Sequence, residues 1–328
     1  MGVDGFELAG TDVQIPALGV GTWAWGDTKT WGMGTYDTAM SEDTIRDAWD
    51  ASIDAGATFF DTAEVYGSGE SERIIGVLLA SDPERAAKVQ IATKFMPSPW
   101  KLNVRTALLS SLRASLERLG LERVDLYQIH GPISLRGHGA LADALAEAHQ
   151  EGLVRAVGVS NYSVKETVAF SAQLRKRGLR LASNQIEFSL LRRSPETSGL
   201  LQTCVDLGVV PLAYSPLGQG RLTGKYSASN PLPANRNFSN HPIETVDAVV
   251  AELRRIGDAN GAKTPGQVAL NWIIAKGAVP IPGAKNRNQA TENAGALGWS
   301  MSDDDVAALD AAALPGVRSL ANRFWQHG

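Results

Sequence analysis

Residues 88–130 read KVQIATKFMPSPWKLNVRTALLSSLRASLERLGLERVDLYQIH. The apolar run KVQIAT reads as a short buried strand, the segment from Asn103 to Gly120 carries a helical period, and VDLYQI reads as a second strand. Strand, helix, strand is the repeating unit of a parallel sheet. Both strands run into a titratable residue, Lys94 after the first and His130 after the second. An unpaired ammonium in an apolar setting is costly, so Lys94 is expected to be held by a buried carboxylate, for which Asp61 is the candidate.

Eight such units can be placed along the chain. The strand-like runs are ALGVGT, ATFF, KVQIAT, VDLYQI, LVRAVGV, LASNQI, VVPLAY and AVPIP. Between and after them the helical period returns over 41–56 with Ser41 as N-cap, 68–80, 103–120, 140–152, 163–178, 194–208, 245–276 with a break near Pro265, and 286–298. Several of these segments end on glycine, a common residue just past a helix. The strands lack a polar face, as expected when helices cover the outside of a sheet and side chains fill the inside. The pattern predicts an α/β fold, a (β/α)8 TIM barrel, as one domain over residues 1–328. FELAG and TDVQIP, around Gly10-Thr11, predict an N-terminal β-hairpin ahead of it.

Composition limits the function. Hydrophobic residues make up 44% and charged residues 20%, the balance of a globular protein with an ample core. The net charge of −4, with no basic run, argues against nucleic acid as a partner. The single cysteine, Cys204, allows no intrachain disulfide and fits a reducing, cytoplasmic setting. The five histidines show no H-x-x-x-H or H-E-x-x-H spacing, so no metal site is expected. Residues 1–16 carry acids and no apolar core of a signal peptide, and no membrane span is expected.

Active sites of such barrels lie where the strands end, so the residue following each strand is the one to read. Asp61 follows ATFF, Lys94 follows KVQIAT, His130 follows VDLYQI, Ser160 and Asn161 follow AVGV, Gln185 lies near the end of LASNQI, and Ser215 follows VVPLAY. Tyr66 sits on the loop after Asp61. A neighbouring cation favours tyrosinate, so Lys94 is expected to lower the Tyr66 pKa while Asp61 holds the lysine in place. With His130 to fix a carbonyl oxygen, the set suits protonation of an alkoxide formed by hydride attack.

The motifs DTAEVYG, IATKF, LYQIHGP, VGVSNY, NQIEFS, YSPLGQGRLTGKY and IPGAKNRNQATEN, in that order from about Gly19 to Asn293, closely resemble those of the aldo-keto reductases. TWAWG, LASNQ, GKY and GWS resemble the plant and bacterial members of pyridoxal-reductase type. The resemblance implies an NADPH-dependent carbonyl reductase acting on a small-molecule aldehyde or ketone. Tyr66 would be the acid, Lys94 its charge partner, Asp61 the anchor of the lysine and His130 the carbonyl-orienting donor. Ser160, Asn161 and Gln185 would hold the nicotinamide carboxamide, Tyr214 would stack on the ring, and Ser215, Leu217, Gly218 and Gly220 would follow the pyrophosphate. Gly283, Lys285, Gln289, Glu292 and Asn293 match the adenine and ribose-phosphate positions, with Lys285 and nearby Arg287 favouring NADPH over NADH. Lys225 and Arg236 match as phosphate contacts, and Gly21, Thr22 and Trp23 as a cofactor-facing loop. Gly131 departs from the bulky residue of many relatives and is expected to widen the pocket beside His130.

Trp23, Trp25, Trp31, Phe95 and Trp100 are candidates to line a substrate pocket, with Trp31 and Trp100 an even choice between pocket and core. Phe324 and Trp325 stand where many aldo-keto reductases place a substrate loop, with packing of the tail against a helix as the favoured alternative. GVGTWA matches a dinucleotide fingerprint, yet no helix opens after it, which rejects a Rossmann unit. Two other functions fit a barrel of this kind. One is an NADP(H)-binding regulatory or redox-sensing subunit with slow turnover. The other is a lyase or epimerase using Lys94 as a Schiff-base nucleophile.

Overall fold

A computed structural model of the chain describes residues 5–26, 40–227, 229–231, 241–316 and 320–328, without the side chains of 320–322. Strands β1 (Gly5–Glu7) and β2 (Gln14–Pro16) pair antiparallel as the hairpin. The barrel strands are β3 (Gly19–Gly21), β4 (Phe59–Asp61), β5 (Gln90–Phe95), β6 (Val124–Ile129), β7 (Val154–Ser160), β8 (Leu181–Glu187), β9 (Val210–Tyr214) and β10 (Val279–Pro280). They are parallel and pair in sequence order from β3 to β10. The ring closes where the Gly21 N–H donates to Pro282 O at 3.0 Å. A Cβ on Gly21 would lie 2.8 Å from Ile281 O, so the seam requires glycine.

The helices are α1 (Glu42–Asp54), α2 (Glu70–Ser81), α3 (Pro83–Ala86), α4 (Val104–Leu119), α5 (His138–Gln150), α6 (Val164–Arg175), α7 (Ser194–Thr197), α8 (Leu200–Leu207), α9 (Ile243–Ala259), α10 (Pro265–Ala275), α11 (Arg287–Ala294), α12 (Asp303–Ala312) and α13 (Leu320–Trp325). Their starts follow local chemistry. Ser41, Ser163 and Thr264 each accept a backbone N–H from the third helical residue and complete a capping box. The segment 194–208, expected as one helix, is two, because Gly199 takes a left-handed conformation (φ 79°) and breaks the run.

Period-two alternation along the strands sorts side chains into two layers. Phe59, Ala92, Leu126, Ala156, Leu212 and Val279 form an apolar interior with Leu8, Val13 and Ile15 of the hairpin segment, which seals the lower end. Outward neighbours such as Phe60, Ile91, Phe95, Tyr127 and Ile129 pack under the helices. Between β7 and β8 the register shifts, with Val157 opposite Leu181 and Gly158 opposite Ser183, so β8 carries one extra residue there. Leu126 is fully buried in the interior. Leu126→Ala should lower unfolding free energy by about 2–5 kcal/mol in urea titrations; a loss under about 1 kcal/mol would mean that this layer is loosely filled.

Candidate active site

The upper interior of the barrel is polar. Asp61 (2% exposed) ends β4 and Lys94 (0%) lies one residue before the end of β5, both on inward positions. Lys94 Nζ donates to Asp61 Oδ2 at 2.6 Å, to Thr62 O at 2.7 Å and to the Tyr66 hydroxyl at 3.3 Å. The other Asp61 oxygen accepts from Gln185 Nε2 at 2.8 Å and from Gln128 Nε2 at 3.3 Å. A carboxylate and an ammonium out of water are tolerated because both are paired and hydrogen-bonded.

Tyr66 stands on the loop after β4. That loop is tied to the loop after β5, since Glu64 Oε1 accepts from Met96 N at 2.7 Å and from Lys101 Nζ at 3.3 Å. Burial, then the Asp61 charge, pushes the Tyr66 phenol well above its ordinary value. The expectation that Lys94 lowers it is not met in the free protein. Burial and the Asp61 charge both work against it, and burial also pulls the Lys94 pKa down. Tyr66 is therefore a neutral phenol. The His130 ring lies 5.7 Å from that of Tyr66, edge to face. Burial and then Lys94 push His130 well below 6.5, so it is a neutral imidazole.

Around this centre, Ser160 Oγ donates to Gln185 O at 3.0 Å, Asn161 Nδ2 donates to Ser160 Oγ at 3.1 Å, and the Tyr214 hydroxyl donates to Asn161 Oδ1 at 2.8 Å. Asn161 is left-handed (φ 64°), a conformation that asparagine tolerates well. After β9 the chain strings together positive-φ residues at Ser215, Gly218, Gln219 and Gly220, the kind of backbone that forms anion-binding concavities. Leu217 packs against the core beside them. Farther along, Lys285 N donates to Gln289 Oε1 at 3.0 Å, Asn293 Nδ2 to Gly283 O at 3.2 Å, and Glu292 accepts from Thr264. Lys225 is exposed. Arg236 and Trp31 lie outside the described residues. Among the described residues no group of three or more His, Cys, Asp or Glu could hold a metal. No described helix is long and apolar enough to cross a membrane.

Several expected positions fall elsewhere. Phe95 is next to Lys94, so alternation turns it to the outer layer, where Lys101 Nζ sits 4.4 Å from its ring centre. Trp25 is fully buried against Phe60 and donates its indole N–H to Ala284 O at 2.8 Å, which makes it core rather than pocket. Thr22 is fully buried as well, its hydroxyl donating to Asp61 O at 2.9 Å and lying 2.8 Å from Ser71 Oγ. Its side chain braces β4 instead of facing a cofactor. Trp23 is partly accessible and Trp100 is 78% exposed. The space beside Gly131 is filled. Trp325 stacks edge-on against His130 at 5.3 Å, and a Cβ on Gly131 would lie 2.8 Å from its ring. The tail therefore enters the site with Trp325 while His327 also meets Glu166 of α6, so it reaches the pocket and a helix alike. Gln128 was missed, although a polar residue two places after inward Leu126 on the same strand is itself a signal.

A profile of the aldo/keto reductase family matches residues 17–314. The chain belongs to the aldo/keto reductase family. Among curated relatives, a chloroplastic pyridoxal reductase of Arabidopsis thaliana is 36% identical over 325 residues, covering 96% of this chain and 87% of that protein. The solved glycerol dehydrogenase of Gluconobacter oxydans superposes with a TM-score of 0.81 at 29% identity, covering 97% of this chain and 98% of that one. An aldo-keto reductase of Klebsiella pneumoniae, solved in complex with NADPH, superposes with a TM-score of 0.71 at 26% identity, covering 93% and 94%. As a reductase of this family the chain is an oxidoreductase, and its barrel is the one those structures share.

Removing one partner of the buried pair should be worse than removing both. Lys94→Met is expected to lose about 3–5 kcal/mol of stability, because Asp61 is left charged without its cation. The double variant with Asp61→Asn should lose clearly less than the two single losses added together; strict additivity in urea titrations would mean that the pair is not coupled.

Proposed function

We propose that the chain is an NADPH-dependent carbonyl reductase that converts an aldehyde or ketone to its alcohol, with Tyr66 as proton donor. The observation that carries this reading is the position of Lys94 Nζ, which reaches Asp61, Thr62 O and the Tyr66 hydroxyl together. The bound nicotinamide would supply the hydride. As charge develops on the substrate oxygen, Tyr66 donates its proton, and Lys94 attracts the forming phenolate more strongly than the resting phenol. Asp61, held by two glutamine amides, keeps the ammonium aimed.

His130 serves as a neutral donor. Its Nδ1 is buried without a hydrogen-bond partner among the described residues. A bare acceptor is less costly than a bare N–H, so the proton sits on Nε2 and is available to fix the carbonyl oxygen.

The cofactor residues fit the group they would hold. Gln185 Nε2 is committed to Asp61, which leaves Oε1 to accept from a carboxamide N–H. Ser160 and Asn161 would share that carboxamide, Tyr214 would offer its ring, and the turn at Ser215, Gly218 and Gly220 would take the pyrophosphate. Gly283, Lys285, Gln289, Glu292 and Asn293 would serve the adenosine end, with Lys285 on the 2′-phosphate and Lys225 and Arg236 on phosphate oxygens. The Klebsiella relative carrying NADPH supports this choice of cofactor. The likeness to the Arabidopsis pyridoxal reductase makes pyridoxal a sensible first substrate to try. A Schiff-base role for Lys94 is disfavoured because all three of its donor positions are engaged. A complete set of Asp61, Tyr66, Lys94 and His130 gives no reason to prefer a sensing subunit.

The first assay is NADPH oxidation with pyridoxal, aromatic aldehydes and simple ketones, with NADH in parallel. Tight NADPH binding without turnover on any of them would favour the sensing role. Tyr66→Phe should lower the reduction rate by about 10²-fold or more while cofactor affinity stays within about twofold; unchanged turnover would remove Tyr66 from the role. Lys285→Ala should weaken NADPH by roughly tenfold with little effect on NADH, since a phosphate contact is charge-assisted. Equal loss for both cofactors would count against it.

A further inference from the structure

The last four residues reach the site from outside the barrel and touch it in four places. Trp325 occupies the space that Gly131 leaves beside His130. Gln326, 4% exposed, donates from Nε2 to the Tyr214 hydroxyl at 2.8 Å and to Glu187 Oε2 at 2.7 Å. His327 N and Gly328 N both donate to Asn161 O, at 3.1 and 3.2 Å. His327 Nδ1 lies 2.8 Å from Glu166 Oε1.

The directions of these bonds are fixed by chemistry. Glu187 accepts only, so the amide nitrogen of Gln326 must face it. The same nitrogen then donates to the Tyr214 oxygen, and the Tyr214 hydrogen is free to go to Asn161 Oδ1. A ring results: Gln326 holds Tyr214, Tyr214 holds the Asn161 side chain, and the tail amides hold the Asn161 carbonyl. The left-handed turn at Asn161 is where side chain and carbonyl meet this ring. Tyr214 and Asn161 are the two residues assigned above to the nicotinamide ring and its carboxamide.

We infer that Gln326 is a positioning residue for the nicotinamide site, acting through the Tyr214 hydroxyl, so that seating of the tail and binding of NADP(H) favour one another. The inference rests on the reading of Tyr214 and Asn161 as nicotinamide residues. If seating of the tail tightens NADP(H) binding, bound NADP(H) must favour the seated tail by the same factor. Among the described residues Gln326 Oε1 has no hydrogen-bond partner, so Gln326→Leu removes the two Nε2 donations and keeps the volume close.

The test is a double-mutant cycle on NADPH affinity, read by fluorescence titration of the full chain. Gln326→Leu and Tyr214→Phe should each weaken NADPH by about three- to tenfold, the range of one lost hydrogen bond. The double variant should be no weaker than the weaker single one. Wild-type affinity in Gln326→Leu, or additive losses in the double variant, would overturn the role. If Gln326→Leu fails to fold, the coupling is read on the wild-type chain by hydrogen exchange at His327 and Gly328. Saturating NADP+ should slow exchange there by about threefold or more, and unchanged exchange would overturn the inference. A wild-type chain that binds no NADPH at all would instead refute the cofactor reading on which the inference rests.

Discussion

The centre depends on a charged pair that water does not reach. Asp61 and Lys94 lie inside a ring of parallel strands, and each is tolerable there only because of the other. The pair in turn recruits its surroundings. Gln185 and Gln128 from β8 and β6 satisfy the second carboxylate oxygen, Thr62 O takes a second ammonium proton, and Thr22 braces the backbone of Asp61 from behind. Strands β4, β5, β6 and β8 are thus fixed relative to one another by a single carboxylate and its partners. Preorganised dipoles of this kind need no rearrangement when charge appears on a bound substrate.

The same burial sets the resting state of the titratable groups. An exposed tyrosine beside a lysine would drift toward its anion, yet here loss of water and the Asp61 charge keep Tyr66 protonated. His130 is kept neutral by the complementary effect, burial acting on a group that would otherwise be a cation, aided by Lys94. Each group begins in the protonation state that donates to an oxygen. The cation of the site is therefore Lys94 alone among the four, and it does not need to titrate to act.

The barrel was legible because eight strand-and-helix units obey their periods, and because Asp61, Lys94 and His130 each stand at or beside a strand end. Phe95 illustrates where reading by type overrode reading by register. It is adjacent to Lys94, so only one of the two can face inward, and the alternation that places Ala92 inside already decides which. Trp25 and Thr22 lie on a loop without a period, so nothing local says that their side chains turn into the core. The hardest feature was the tail. Its seat depends on Gly131, Tyr214 and Asn161, which come from three different strand ends, and complementarity between a glycine and a distant tryptophan has no local signature. Gly131 departs from the usual bulky residue in the sequence itself, whereas the side chain that fills its space is visible only in three dimensions.

The hairpin adds a constraint on proton traffic. With Leu8, Val13 and Ile15 stacked beneath Phe59 and Leu126, several apolar layers separate Lys94 from the solvent below. If Tyr66 is the proton donor proposed above, this apolar floor gives its proton no polar route back from below. The proton would then return from above, past the opening that admits the reactants. The barrel would be one-ended for protons as well as for molecules, with recharging of the acid tied to departure of the product.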